Sequence, residues 1–167
     1  VAPAKTLKLD RIDVNILAHL QRQGRMGNND LAEAVGLSPS PCLHRVRRLE
    51  AAGYITGYSA HLNLNKLCDP QTVFTQVTLS SHTREDFLRF ESAMAAQEEL
   101  LEAHLVSGGF DYLLKFVTRG IAEYQTLMDN LLARELGIAK YFSFIVLKSP
   151  VIKREYPLSV VLETPKD

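Results

Sequence analysis

The spacing of apolar positions along this chain changes character once, near residue 63. Before that point they recur at helical intervals. Ile12, Ile16, Leu17 and Leu20 share one face of a helix predicted over about residues 10–23, with Gly24 as its stop. Leu31, Ala32 and Val35 make a second, shorter stripe. Gly36 closes it, in the position after a helix where a left-handed backbone suits glycine. Cys42, Val46 and Leu49 lie at i, i+4 and i+7 on a third helix. It is entered through Ser38-Pro39-Ser40-Pro41, a polar cap followed by a proline tolerated in the first turn. At about 100° per residue, Ser40, His44, Arg47 and Arg48 fall on the opposite side of this helix, with Arg45 on the flank. Two short helices joined by a tight turn, with a basic second helix and an earlier helix to complete the core, describe a helix-turn-helix unit. Its second helix suits a DNA major groove. Residues 54–62 then predict two short strands around Gly57, the form of a wing, and residues 1–8 are expected to fray.

After a polar linker at residues 63–70 the pattern alternates strand and helix. Residues 72–79 place Val73, Thr75, Val77 and Leu79 on one side of a strand, and residues 84–96 gather Phe87, Leu88, Phe90 and Met94 on a helix face. Strands at residues 100–106 and 112–117 flank the turn Ser107-Gly108-Gly109-Phe110-Asp111. Ile121, Tyr124, Leu127, Met128 and Leu131 mark a second helix over residues 121–132, and residues 138–147 close as a strand. The order βαββαβ is ferredoxin-like, with both helices on one face of an antiparallel sheet. Apolar residues on both strand faces then predict dimerisation through the uncovered face. The expected class is therefore α+β: a winged helix-turn-helix over residues 1–62 and a ferredoxin-like domain over residues 71–167. The segment after Pro150, which includes SVVLE, reads as an added strand or an arm.

Composition sharpens this division. The net charge is zero, but residues 1–66 carry nine Lys/Arg against five Asp/Glu, and residues 67–167 carry ten against fourteen. A basic reader joined to an acidic module fits that split. No run approaches the ~18 apolar residues of a membrane span. Cys42 and Cys68 are 26 positions apart, without metal-ligand spacing, and Cys42 lies on a predicted core face. A reducing cytoplasm, with no disulfide and no zinc site, is the expectation.

Residues 9–25, LDRIDVNILAHLQRQGR, resemble the opening helix of the Lrp/AsnC family of regulators, and LAEAVGLSPSPCLHRVRRLEAAGYITGYSAHLN resembles its helix-turn-helix and wing. Further on, HLVSGGFDYLLKF is similar to the family's effector segment and GIAKYFSFIVLK to its last strand. The resemblance spans about residues 9–148. It implies a regulator of transcription that binds double-stranded DNA as a homodimer and assembles into a tetramer, octamer or larger disc. It also implies an amino acid or related metabolite as effector, bound between dimers. Two departures stand out: His44 replaces a common Arg, and Gly109-Phe110 replaces a common acidic residue and Tyr. A histidine there is expected to alter base reading or to make binding pH-sensitive.

The residues expected to contact DNA are Ser38, Ser40, His44, Arg45, Arg47 and Arg48. Arginine grips phosphate or pairs with guanine, and sequence does not assign which. The residues expected to hold the effector are Val106, Ser107, Gly108, Gly109 and Asp111. Glycines allow close main-chain approach to a carboxylate, and an aspartate receives an ammonium group. His61 in the wing and His104 on a strand are secondary candidates. An enzyme is not expected: His19, His44, His61, His82 and His104 lack metal spacing, and neither a nucleophile motif nor a phosphate-cradling loop appears. No catalytic residue, metal or cofactor is assigned. A DNA-wrapping architectural protein without an effector remains the alternative.

Overall fold

The computed structural model describes residues 8–162, so all but the last residue of the expected fray at residues 1–8 lies outside the described residues. Helix α1 (Arg11–Arg22) begins where Asp10 and Asp13 cap each other. The Asp13 N–H donates to Asp10 Oδ1 at 2.8 Å and the Asp10 N–H to Asp13 Oδ2 at 3.2 Å. Each carboxylate thereby satisfies a backbone donor that the first helical turn leaves unpaired. Helix α2 (Asn28–Ala34) ends on Gly36 at φ +70°, where the Leu37 N–H reaches Ala32 O at 2.8 Å and the Gly36 N–H reaches Glu33 O at 3.2 Å. This Schellman turn aims the chain into α3 (Pro39–Ala51). Ser38 occupies the N-cap position of α3 but its side chain makes no cap hydrogen bond, so the expected polar cap is one of position only. Ile16, Leu20, Leu31, Ala32, Cys42 and Leu49 are the buried core of the three helices, and Val46 and Val35 pack at its edge.

The expected wing strands do not form. Residues 54–62 are irregular and carry no strand pairing. Two strands of three or four residues offer few cross-strand bonds against the entropy of ordering them. Side chains anchor the segment instead: Ile55 packs on the helical core, and the Tyr58 hydroxyl donates to Glu50 at 2.9 Å. Burial, with the Glu50 carboxylate beside it, pushes the Tyr58 phenol up to about 12. The arm after Pro150 is also not a strand. Residues 151–162 cluster with the helical unit rather than with the sheet, contrary to the expected boundary at residues 71–167. They carry one helical turn, and the Gln21 amide holds their backbone from both sides. Gln21 Nε2 donates to Tyr156 O and the Tyr156 N–H donates to Gln21 Oε1, each at 3.0 Å, while Arg22 pairs with Glu155 at 3.1 Å.

The second unit, residues 62–150, is the ferredoxin-like body. Strands β1 (Gln71–Leu79), β2 (Leu100–Leu105), β3 (Tyr112–Thr118) and β4 (Ile138–Ile145) form one antiparallel sheet in the order β2-β3-β1-β4. Helices α4 (Arg84–Ala95) and α5 (Ile121–Ala133) supply Phe90, Met94, Tyr124, Leu127, Met128 and Leu131 to a core shared with Val73, Val77, Leu79, Tyr112, Leu114 and Phe116. The alternation read in β1 is therefore the core face, while Leu88 and Ile121, placed on the helix stripes, stay exposed at its margin. One polar line crosses the core: Tyr124 Oη lies 2.7 Å from Thr75 Oγ1 and 2.5 Å from Ser143 Oγ. On the opposite sheet face Phe74 pairs with Phe144 and Gln76 with Phe142, and both β4 phenylalanines are half exposed.

Replacing Tyr124 by Phe removes the shared partner of two hydroxyls and leaves the buried Thr75 hydroxyl unsatisfied. Denaturant unfolding is expected to show a loss of about 1–3 kcal/mol. At the start of α4, the Thr83 hydroxyl, aided by Ser81 and Arg89, holds the Asp86 carboxyl at about 2, below its ordinary 3.8. Because the folded value is depressed, this contribution is complete above pH 3.8 and is lost as pH falls through about 2. Thr83→Ala is expected to return the Asp86 titration, followed by carboxyl NMR, toward 3.8. An unmoved midpoint would contradict the assignment.

Candidate nucleic-acid interface and effector turn

The three helices place Ser38, Ser40, His44 and Arg47 in solvent on α3, clear of the core formed by Cys42 and Leu49. Arg47 has no ion-pair partner among the described residues. Arg45 and Arg48 are held differently. Arg45 Nη1 donates to Asp10 Oδ2 at 2.7 Å and to Asp13 Oδ1 at 2.8 Å, and Arg48 Nη2 donates to Asp13 Oδ2 at 2.7 Å. The Asp13 side chain is 1% exposed, against 24% for Arg45 and 37% for Arg48. Arg48 Nε is buried without a partner. Burial raises the Asp10 carboxyl, but the Asp13 N–H and the Arg45 guanidinium outweigh it and hold it below the ordinary carboxylate value. Asp10 and Asp13 in turn push the Arg45 guanidinium further up. The six DNA candidates thus divide into four exposed side chains and two that tie α3 to the start of α1.

In the second unit the candidate effector residues come together as the β2–β3 connection. The Val106 N–H donates to Asp111 O at 2.9 Å, closing the turn, and the Asp111 N–H donates to Val77 O at 2.9 Å. Gly108 has φ +147°, a conformation other residues rarely adopt, and Ser107, Gly108 and Gly109 are exposed. Asp111 is engaged on both oxygens: Oδ2 accepts the Leu79 N–H at 2.7 Å, and His82 Nε2 lies 3.1 Å from each oxygen. Leu79 is where the β1–β4 register shifts, and Asp111 satisfies the backbone donor at that shift. The turn is therefore fastened to β1 through the residue expected to receive an ammonium group. His104 sits on β2 beside Glu102, and His61 lies in solvent.

Two family models match the chain in this same order. A winged helix-turn-helix DNA-binding domain covers residues 9–56, and the Lrp/AsnC ligand binding domain covers residues 72–156. The chain belongs to the Lrp/AsnC family. Among Lrp/AsnC relatives, it is 47% identical over 143 residues to the transcriptional regulatory protein DoeX of Halomonas elongata, spanning 86% of this chain and 90% of that one. It is 45% identical over 140 residues to the leucine-responsive regulatory protein of Escherichia coli, spanning 84% and 85%. In structure it is similar to a transcriptional regulator of Neisseria meningitidis solved as a complex with L-Met, with TM-score 0.86, 30% identity, and 93% and 100% coverage.

Two features of this Lrp/AsnC chain escaped sequence reading. The first is Asp13, which was legible in part: it lies three residues after Asp10 at a helix start and on the same face as Ile16 and Leu20. An acid on an apolar stripe signals a buried partner, but which cation reaches it depends on how α3 crosses α1. The second is a cleft of about 420 Å³ between α5 and β4, where Tyr124 and Ser143 meet Gln125, Asp129 and Tyr141. A larger groove of about 820 Å³ runs between α1 and the tail. Neither includes the Gly108 turn.

Asp13→Ala would leave two arginines facing Asp10 alone. Thermal or denaturant unfolding is expected to report a loss of about 2–3 kcal/mol. That is below the ~3–5 kcal/mol for breaking a fully buried pair, because both guanidiniums keep solvent contact.

Proposed function

We propose that this Lrp/AsnC family protein is a non-enzymatic, sequence-specific regulator of transcription whose DNA affinity or assembly responds to an amino acid or a close metabolite. The observation that carries this reading is the pairing, in one chain and in order, of a DNA-binding helical unit with the Lrp/AsnC ligand binding domain. Ser38, Ser40, His44 and Arg47 are the side chains that would meet double-stranded DNA. Arg45 and Arg48 serve first to hold α3. In the second unit Val106, Ser107, Gly108 and Gly109 would offer main-chain groups to a ligand carboxylate, with Asp111 fixing the turn's shape. The Neisseria relative's L-Met supports an amino acid as the effector class. The ligand-binding match also weighs against an architectural protein without an effector.

The uncovered sheet face supports assembly. Phe142 and Phe144 stand half exposed on the face opposite the helices, and a second copy covering that face would remove them from water. A homodimer built this way is the proposed unit, with a tetramer, octamer or larger form above it. Cytoplasmic residence accords with this role, and no helix among the described residues is long and apolar enough to cross a membrane.

A thermal-shift panel of the twenty amino acids tests the effector half. A true effector at a hundred times its Kd stabilises by about 2.7 kcal/mol, which is readily seen. One or a few amino acids are expected to raise Tm, and Gly108→Val is expected to remove that rise. No shift with any of the twenty would count against an amino-acid effector.

A further inference from the structure

We propose that Asp10 and Asp13 act as an internal stand-in for DNA phosphate, withholding Arg45 and Arg48 from nucleic acid and so making Arg47 the principal backbone-gripping cation of α3. The inference rests on the DNA-binding reading above and deepens it. Two guanidiniums face two carboxylates, so the cluster is electrically neutral. Binding to nucleic acid releases counterions in proportion to the phosphates that cations neutralise, and a neutral cluster has no excess positive charge to offer. The geometry agrees with the charge count. Arg45 directs Nη1 at two carboxylate oxygens, using both of its hydrogens. Arg48 gives Nη2 to Asp13 and has Nε closed off from water, so the Nε/Nη2 edge that would fork onto a guanine is turned inward. Carboxylate and phosphate are bound by the same planar fork, which is why one replaces the other.

What remains on α3 is one exposed arginine with no ion-pair partner among the described residues: Arg47, beside Ser38, Ser40 and His44. The consequence is selectivity. Sequence-independent affinity scales with the number of phosphates neutralised, so holding two arginines back keeps non-specific binding weak. Base-edge contacts from Ser40, His44 and Arg47 are untouched by this arrangement, and the ratio of specific to non-specific affinity rises. Asp10 and Asp13 are thus positioning residues, acting through the arginines they hold.

The test measures binding of the full chain to two duplexes as a function of KCl: one selected by the protein from a randomised pool, and a scrambled version. Asp10→Asn is the clean variant, because asparagine caps a helix as well as aspartate does and only the charge is lost. It is expected to steepen the slope of log K against log salt on the scrambled duplex by roughly 0.9 for each arginine released to phosphate. Scrambled-duplex affinity should rise several-fold at low salt and the specific-to-scrambled ratio should fall. Arg47→Gln is expected to flatten the slope by a similar amount, while Arg48→Gln leaves it unchanged. A purely structural role for the cluster would lower both affinities together and leave the Asp10→Asn slope where it was. That result, or a flatter slope in Arg48→Gln, overturns the proposal. Wild-type protein that binds neither duplex would instead overturn the DNA-binding reading itself. Asp13→Asn, checked by circular dichroism, adds a stronger arm, and the other variants decide the matter if it does not fold.

Discussion

A single buried carboxylate organises the helical unit. Asp13 lies against the apolar core formed by Ile16, Leu20 and Leu49, where an unpaired charge would be costly. Its oxygens receive the Asp10 N–H and both Arg45 and Arg48. The same contacts that make the charge tolerable fix how α3 lies against α1, and so decide which side of α3 faces outward. Packing alone would leave some latitude there, because apolar contact is not directional. Two charge-assisted hydrogen bonds from successive turns of α3 remove it.

The second unit obeys a different constraint. Its sheet is covered by α4 and α5 on one side, where the Thr75–Tyr124–Ser143 hydroxyl line crosses an apolar core. The other side keeps Phe142 and Phe144 half in water. At the start of β3 the Asp111 carboxylate ties the glycine turn to the irregular end of β1, so the turn's shape depends on the register of the strand pair beneath it. A turn fixed in this way presents its exposed main chain in one arrangement.

Much of this was legible in the residues. Helical spacing located α1, α2 and α3, and alternation located β1, because one face of each element is buried and the period follows from that. Gly36 was legible because only a left-handed residue can close α2 and open α3 over so short a turn. The strands of the wing were misread: the segment has the composition of strands, but Ile55 packs on the helical core and Tyr58 bonds Glu50. The tail was not legible at all. Its attachment depends on Gln21 and Arg22, which in sequence are two ordinary polar residues on a solvent-facing side of α1. Arg48 shared a face with Arg47, and Arg45 lay on its flank, without any sign of their ion pairs for the same reason: periodicity places a side chain on a face but does not reveal a buried acid within its reach.

Arginine side-chain NMR of the full chain, with and without the duplex it selects, addresses the central claim most directly. The account predicts that the Arg47 guanidinium resonances shift on DNA binding, while those of Arg45 and Arg48 stay slow to exchange and unmoved, still held by Asp13. Large shifts at Arg45 or Arg48, with loss of their protection, would show that the carboxylates release them to DNA and would contradict it.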